Sequence, residues 1–193
     1  MIYIVTYEAS NMTRQEEMQK QKTLSKWLFN QAVYKETGKI LEDFSIYKGE
    51  NGKPYIYGEH FYFNISHCKG LVCCAVHTEE IGVDVERVGT IKENVIKRVC
   101  TAEEAKDIEY SENQTELFFQ YWTLKESYVK YIGEGLRFGL KNAQFGFRGE
   151  KPFCVNDDVY LFQKKLCIGK EKYIISACVK EKANFEICEL TAD

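Results

Sequence analysis

Two short segments carry side chains that could do chemistry together. In Ile81-Gly82-Val83-Asp84-Val85-Glu86 two carboxylates stand two positions apart. On a strand both point to one face, and Val83 and Val85 to the other. Neighbouring carboxylates repel unless a cation or a proton lies between them. With phosphate oxygens and water completing the shell, such a pair can hold Mg²⁺. The alternative is an acidic pair facing solvent at a strand end. In the second segment, Phe118 to Lys130, the residues Trp122, Glu126 and Lys130 recur every four positions, so on a helix they stack along one side. A carboxylate and an ammonium beside a Trp, just before Gly133-Glu134-Gly135, suit a charged ligand. The alternative is an exposed salt bridge contributing about 0.3–0.5 kcal/mol.

The elements that must position these groups follow from pattern. Leu117, Tyr121, Leu124 and Tyr128 form a buried helical stripe, and Gly133 is a natural stop. Upstream, Phe61 to His67 and Leu71 to Val76 read as a hairpin around Lys69-Gly70. Ile81 to Glu86 is the next strand. Met1 to Tyr7 alternates as a first strand. A helix is expected from about Thr13 to Glu36, with Thr13 and Glu16 as a capping box, Gly38 as its end, and Leu24, Trp27, Leu28, Gln31 and Ala32 inward. Lys20, Lys22 and Lys26 make a basic cluster on it, either a solvated face or an anion contact. Phe44 to Tyr47 is a short strand, and Asn51-Gly52-Lys53-Pro54-Tyr55 is a turn. Helices are expected at Asn94 to Arg98 and, behind a Thr101–Glu104 capping box, up to Tyr110. Strands near 143–147, 158–162 and 173–179 close the chain. This order indicates an α+β fold.

Composition narrows the function classes. The chain has 193 residues, 45% of them hydrophobic, enough for one large domain or two small halves. A formal net charge of −3 argues against general nucleic-acid binding. No apolar run approaches the roughly 18 residues of a membrane span. Without a signal-like N-terminus, the expected location is cytoplasmic. Cys73, Cys74, Cys167 and Cys178 lie in apolar strand-like runs, where cysteine acts as a small buried hydrophobe. There is no Cys-x-x-Cys pair and there are three His, which disfavours zinc. With no Walker or Gly-x-Gly-x-x-Gly loop, phosphate must be held by side chains and metal.

Four segments in order resemble the 4′-phosphopantetheinyl transferases: Gly52-Lys53-Pro54, Phe63-Asn64-Ile65-Ser66-His67, Ile81 to Glu86, and Trp122-Thr123-Leu124-Lys125-Glu126-Ser127 with Lys130 and Gly133-Glu134-Gly135-Leu136. Length and arrangement are similar to the single-chain group serving peptide and polyketide synthases. The resemblance implies two similar α/β halves related by pseudo-twofold symmetry, here 1–98 and 99–193, with coenzyme A between them. It implies transfer of phosphopantetheine from coenzyme A to a serine of an acyl or peptidyl carrier protein, with release of 3′,5′-ADP. Asp84, Glu86 and Glu126 would hold Mg²⁺ or Mn²⁺. Glu126 would serve as base, directly or through a water on the metal, and Lys130 would contact the phosphate that gains charge. His67, helped by Ser66, would pair with the 3′-phosphate. Lys53 and Pro54 would border the adenine or its phosphates, and Lys22 and Thr23 would add to the 3′-phosphate site. An acidic carrier would dock near Lys92, Lys97 and Arg98, over Ile96 and Val99, and the protein would act as a monomer. Two other readings stand beside this one: a non-catalytic module that binds coenzyme A and carrier proteins, and a Mg²⁺-dependent nucleotide hydrolase.

Overall fold

Strand β1 (Ile2–Thr6) leads into helix α1 (Arg14–Thr37). Thr13 caps the helix. Its hydroxyl accepts from the Glu16 N–H at 3.3 Å, and the Glu16 carboxylate accepts from the Thr13 N–H at 2.8 Å. Gly38 ends it at φ 72°, a left-handed conformation that costs glycine nothing sterically. A hairpin follows, β2 (Ile46–Lys48) and β3 (Pro54–Ile56), then β4 (Tyr62–Cys68), β5 (Leu71–His77) and β6 (Ile81–Arg87). Helices α2 (Glu93–Val99), α3 (Ala102–Tyr110) and α4 (Gln114–Ile132) lead to β7 (Phe145–Arg148), β8 (Lys151–Cys154), β9 (Tyr160–Ile168), β10 (Glu171–Val179) and β11 (Ile187–Glu189). This computed structural model describes residues 1–192, apart from the side chains of Glu93 and Leu136.

The strands form a sheet of order β11-β1-β5-β4, a second of order β6-β10-β9, and the separate hairpins β2-β3 and β7-β8. Helix α1 covers the first sheet, burying Leu24, Leu28, Phe29, Ala32 and Val33 against Tyr3, Val5, Val72, Cys74 and Val76. Both sheets share a second apolar layer, in which Ile4, Cys73 and Ala75 meet Val83, Val85, Ile175 and Ala177. Helix α4 builds a third layer, placing Tyr121, Leu124 and Tyr128 against Phe145, Leu161 and Cys178. Strand β5 is buried from Leu71 to Val76 because apolar layers lie on both of its faces, which is why it reads as an unbroken hydrophobic run.

Between the sheets, β4 and β6 lie side by side without a backbone ladder. The buried Asn64 bridges them instead, its Oδ1 accepting from the Val83 N–H at 3.0 Å. The sheets also mix the two ends of the chain. Strand β6 pairs with β10, with Asp84 opposite Ser176, and β11 pairs in parallel with β1.

Several expectations are corrected. Pro54 opens a strand, β3, in what reads as a turn. The hairpin there is only two strands wide, so proline's missing N–H breaks no wider ladder. Strands β8 and β11 carry no clear pattern of their own. Phe29 and Val33, rather than Gln31, complete the inner face of α1. Cys167 is exposed, because β9 is an edge strand whose second half turns to solvent. Among the described residues, no helix is long and apolar enough to cross a membrane.

Candidate active site

The site begins with a glycine. On β6, Ile81, Val83 and Val85 enter the layer shared by the sheets, so Gly82, Asp84 and Glu86 face α4. A Cβ at Gly82 would overlap the Ser127 carbonyl oxygen and the Tyr131 nitrogen of that helix. The missing side chain brings strand and helix into backbone contact, and with them the carboxylates of one and the Glu126 and Lys130 side chains of the other.

The alternatives for both motifs are settled by this contact. Asp84 is buried, with 4% of its surface exposed, so it does not face solvent. Lys130 pairs not with Glu126 but across to the strand. Its Nζ donates to Asp84 Oδ1 at 2.6 Å and to Ser66 Oγ at 2.8 Å, and the Ser66 hydroxyl donates to the same Asp84 oxygen at 2.7 Å. The other oxygen, Asp84 Oδ2, is buried without a hydrogen-bond partner.

Charge in the site is not balanced. Burial, then the neighbouring Asp84, push the Glu86 carboxyl up to about 7, although Lys130 and a hydrogen bond from Trp122 work the other way. Burial and Asp84 also raise Glu126. Burial opposes the Lys130 ammonium, but Asp84 more than offsets it and holds Lys130 above the ordinary lysine value. His67 sits below its usual value through burial and the nearby Lys130. Carboxylates whose ionised forms are disfavoured, beside an orphaned buried oxygen, suit an added cation. An all-oxygen donor set selects a hard one. Among the described residues no three His, Cys, Asp or Glu side chains already meet as a metal cage. The nearest positive charge to Asp84 is Lys130.

Beside this cluster opens a cleft of about 280 Å³. Glu126, Val129 and Lys130 of α4 form one wall, the hairpin loop from Asn51 to Pro54 another, and Gly133, Gly135, Gly139 and Leu140 the end. Lys53 and Pro54, expected beside the adenine or its phosphates, line this cleft. Asn64 lines it too. Sequence reasoning assigned Asn64 no role, though a polar residue between Phe63 and Ile65 was a signal. Ser66 is committed to Asp84 and Lys130, while His67, next along β4, opens to solvent on one side and is packed against protein on the other.

Other expected residues are not gathered here. Lys22 and Thr23 lie outside the cleft lining, in a surface hollow with Lys26, Trp27, Leu41 and Glu42. Lys97 and Arg98 are exposed on α2, with Val99 buried beneath and Ile96 partly buried; Lys92 stands just before that helix and makes no side-chain cap.

A buried ion pair was missed as well. Lys125 and Glu104 are both wholly buried and pair at 2.8 Å. The Lys125 ammonium also donates to the Leu140 and Ala143 carbonyls. Glu104 accepts from the N–H groups of Thr101 and Phe145. One lysine thus fixes the loop that ends the cleft, one residue away from Glu126. Its signal was its position, since Leu124 and Tyr128 beside it mark the buried face.

Comparison with known proteins matches residues 80–178 to the 4′-phosphopantetheinyl transferase superfamily. A 4′-phosphopantetheinyl transferase of Bacillus subtilis is 38% identical over 96 residues, 47% of this chain and 42% of the relative. The 4′-phosphopantetheinyl transferase HetI of Nostoc is 35% identical over 111 residues, 52% of this chain and 45% of the relative. The matches thus span less than half of each relative's length. Among solved structures, the holo-[acyl-carrier-protein] synthase of Thermotoga maritima aligns over 53% of this chain and 64% of its own, at 20% identity and a TM-score of 0.43. The family match takes in Asp84, Glu86, Glu126 and Lys130 together, and the chain belongs to the 4′-phosphopantetheinyl transferase superfamily.

Proposed function

We propose that the protein transfers phosphopantetheine from coenzyme A to a serine of an acyl or peptidyl carrier protein. The observation that carries this reading is the Lys130–Asp84 pair at 2.6 Å, which ties the acidic strand to the cleft wall that Glu126 and Lys130 form. In the reaction the serine oxygen bonds to the β-phosphorus of coenzyme A and the pyrophosphate P–O bond breaks. The electron pair leaves with 3′,5′-ADP, and the serine proton goes to a base.

Asp84, Glu86 and Glu126 would hold Mg²⁺, with Mn²⁺ as a possible substitute. When bound, the ion offsets phosphate charge and makes phosphorus a better electrophile. Glu126 is the base. It takes the serine proton directly or through a water molecule, which places the group within hydrogen-bond reach of the proton as general-base catalysis requires. Lys130 supplies positive charge to the phosphate on which charge grows. Ser66 orients Asp84 and Lys130 through its two hydrogen bonds. His67 faces the 3′-phosphate. A cleft of about 280 Å³ lies just below the usual range for small-molecule sites, about 300–1,000 Å³. It takes the nucleoside end, beside Pro54 and the stem of Lys53. Lys22 and Thr23 enter this reading as contacts to the part of the ligand outside the cleft.

An acidic carrier docks on α2 by Lys92, Lys97 and Arg98. The two halves, 1–98 and 99–193, each lend a strand to the other's sheet, β6 and β11. Monomeric state and cytoplasmic location belong to the same reading. The test is mass spectrometry of an apo carrier incubated with the protein, coenzyme A and Mg²⁺. One phosphopantetheine added per carrier supports transfer. 3′,5′-ADP formed without carrier means hydrolysis, and binding alone means a module. Full activity of Glu126→Gln would remove Glu126 as base.

A further inference from the structure

We propose that Lys53 and Glu80 form a clamp that sets the position of the cleft wall, with Lys53 a positioning residue rather than a phosphate ligand. The proposal deepens, and for its kinetic readout rests on, the transferase reading. Lys53 Nζ donates to Glu80 Oε2 at 2.5 Å and to the Tyr131 carbonyl at 2.9 Å. Its side chain is 7% exposed. The charge is therefore neutralised and enclosed, with two of an ammonium's three donors engaged.

The three partners come from three elements. Lys53 is on the hairpin loop, Glu80 in the turn between β5 and β6, and Tyr131 in the last turn of α4. Tyr55, two residues on, holds its ring 5.7 Å from Lys53 Nζ. Beneath them is Gly133, where a Cβ would lie 3.4 Å from Lys53 Cδ and 3.6 Å from the Tyr55 hydroxyl. The loop that walls the cleft thus rests on the glycine turn that ends it. Strands β2 and β3 form a sheet of their own. A two-stranded hairpin alone is marginally stable, so side-chain ties of this kind decide where its loop stands.

Glu80→Gln keeps the size of the side chain and removes its charge, at a position open to solvent. Hydrogen exchange without ligand is expected to quicken over residues 46–56, and Lys53→Met is expected to do the same. The double variant should add nothing, because the two side chains act as one unit. With carrier present, Glu80→Gln should raise KM about tenfold, by loss of preorganisation, equally for coenzyme A and dephospho-coenzyme A. Its kcat should stay near wild type. Unchanged hairpin exchange in both variants would overturn the clamp. A lower KM for coenzyme A in Glu80→Gln would also overturn it, since that outcome means a freed Lys53 binds phosphate. If wild-type protein neither binds nor uses coenzyme A, the transferase reading fails while the exchange experiment still decides the clamp.

Discussion

Lys130 Nζ stands 2.6 Å from Asp84 Oδ1, so a helix ammonium crosses to a strand carboxylate instead of pairing with Glu126 one turn before it. This contact joins the two halves of the candidate machinery, and it brings positive charge to a strand carboxylate that raises the proton affinity of both Glu86 and Glu126.

Removing that charge tests its role. Lys130→Met is expected to lower kcat by about 10²–10³-fold, the usual loss for a preorganised charge-stabilising group. Ser66 still bonds to Asp84 in the variant. Single-turnover transfer to an apo carrier, read by mass, is the measurement. A rate within threefold of wild type would strip Lys130 of this role.

Gly82 makes a structural prediction. Gly82→Ala drives a methyl into the α4 backbone, and backbone can yield only by moving the whole helix. Overpacking of this kind costs about 3 kcal/mol or more. Urea denaturation should show it, together with loss of activity. A stable and active Gly82→Ala protein would mean that β6 and α4 are not in backbone contact.

The Lys125–Glu104 pair predicts strong coupling. Either single truncation, Lys125→Met or Glu104→Gln, leaves a buried group without its partner, at a cost of about 3–5 kcal/mol. Replacing both should cost less than the sum, and a double-mutant cycle in urea measures the difference. Additive losses would mean that the pair does not act as a unit. Residues 139–143 should exchange hydrogen faster in each single variant.

His67 predicts a pH dependence. Burial and Lys130 lower its folded value below 6.5, so the unfolded chain binds the proton more readily. Its contribution to stability is complete above about 6.5, the unfolded value, and is lost as pH falls toward the folded value. A proton NMR titration of the ring should give a midpoint below that of an unfolded histidine, and added 3′,5′-ADP should raise it. A midpoint that 3′,5′-ADP leaves in place would take His67 off the 3′-phosphate.

Much of this molecule was legible in the chain, because the signals were local. The Thr13 and Thr101 caps, the glycine stops at Gly38 and Gly133, and the alternation of Val83 and Val85 with Asp84 and Glu86 depend on neighbours within a few residues. So did the helical spacing of Trp122, Glu126 and Lys130. Less was legible where partners are remote. The β1–β11 pairing unites opposite ends of the chain, and nothing in Ile187-Cys188-Glu189 names its partner. Cys167 sits in an apolar run, yet the edge position of β9 leaves it in solvent.

The sequence by itself determined which side chains share a face, since helical and strand periods are properties of the backbone. Tertiary structure alone decided which faces meet. Glycine at position 82 could be read, but not that its emptiness admits the α4 backbone. Lys53, Lys125 and Lys130 look alike in one dimension. Only the packing makes the first a tie to Glu80, the second a buried partner of Glu104 and the third the cation beside Asp84. The physical reason is that an ammonium's role depends on the charges around it, and those come from residues far away along the chain.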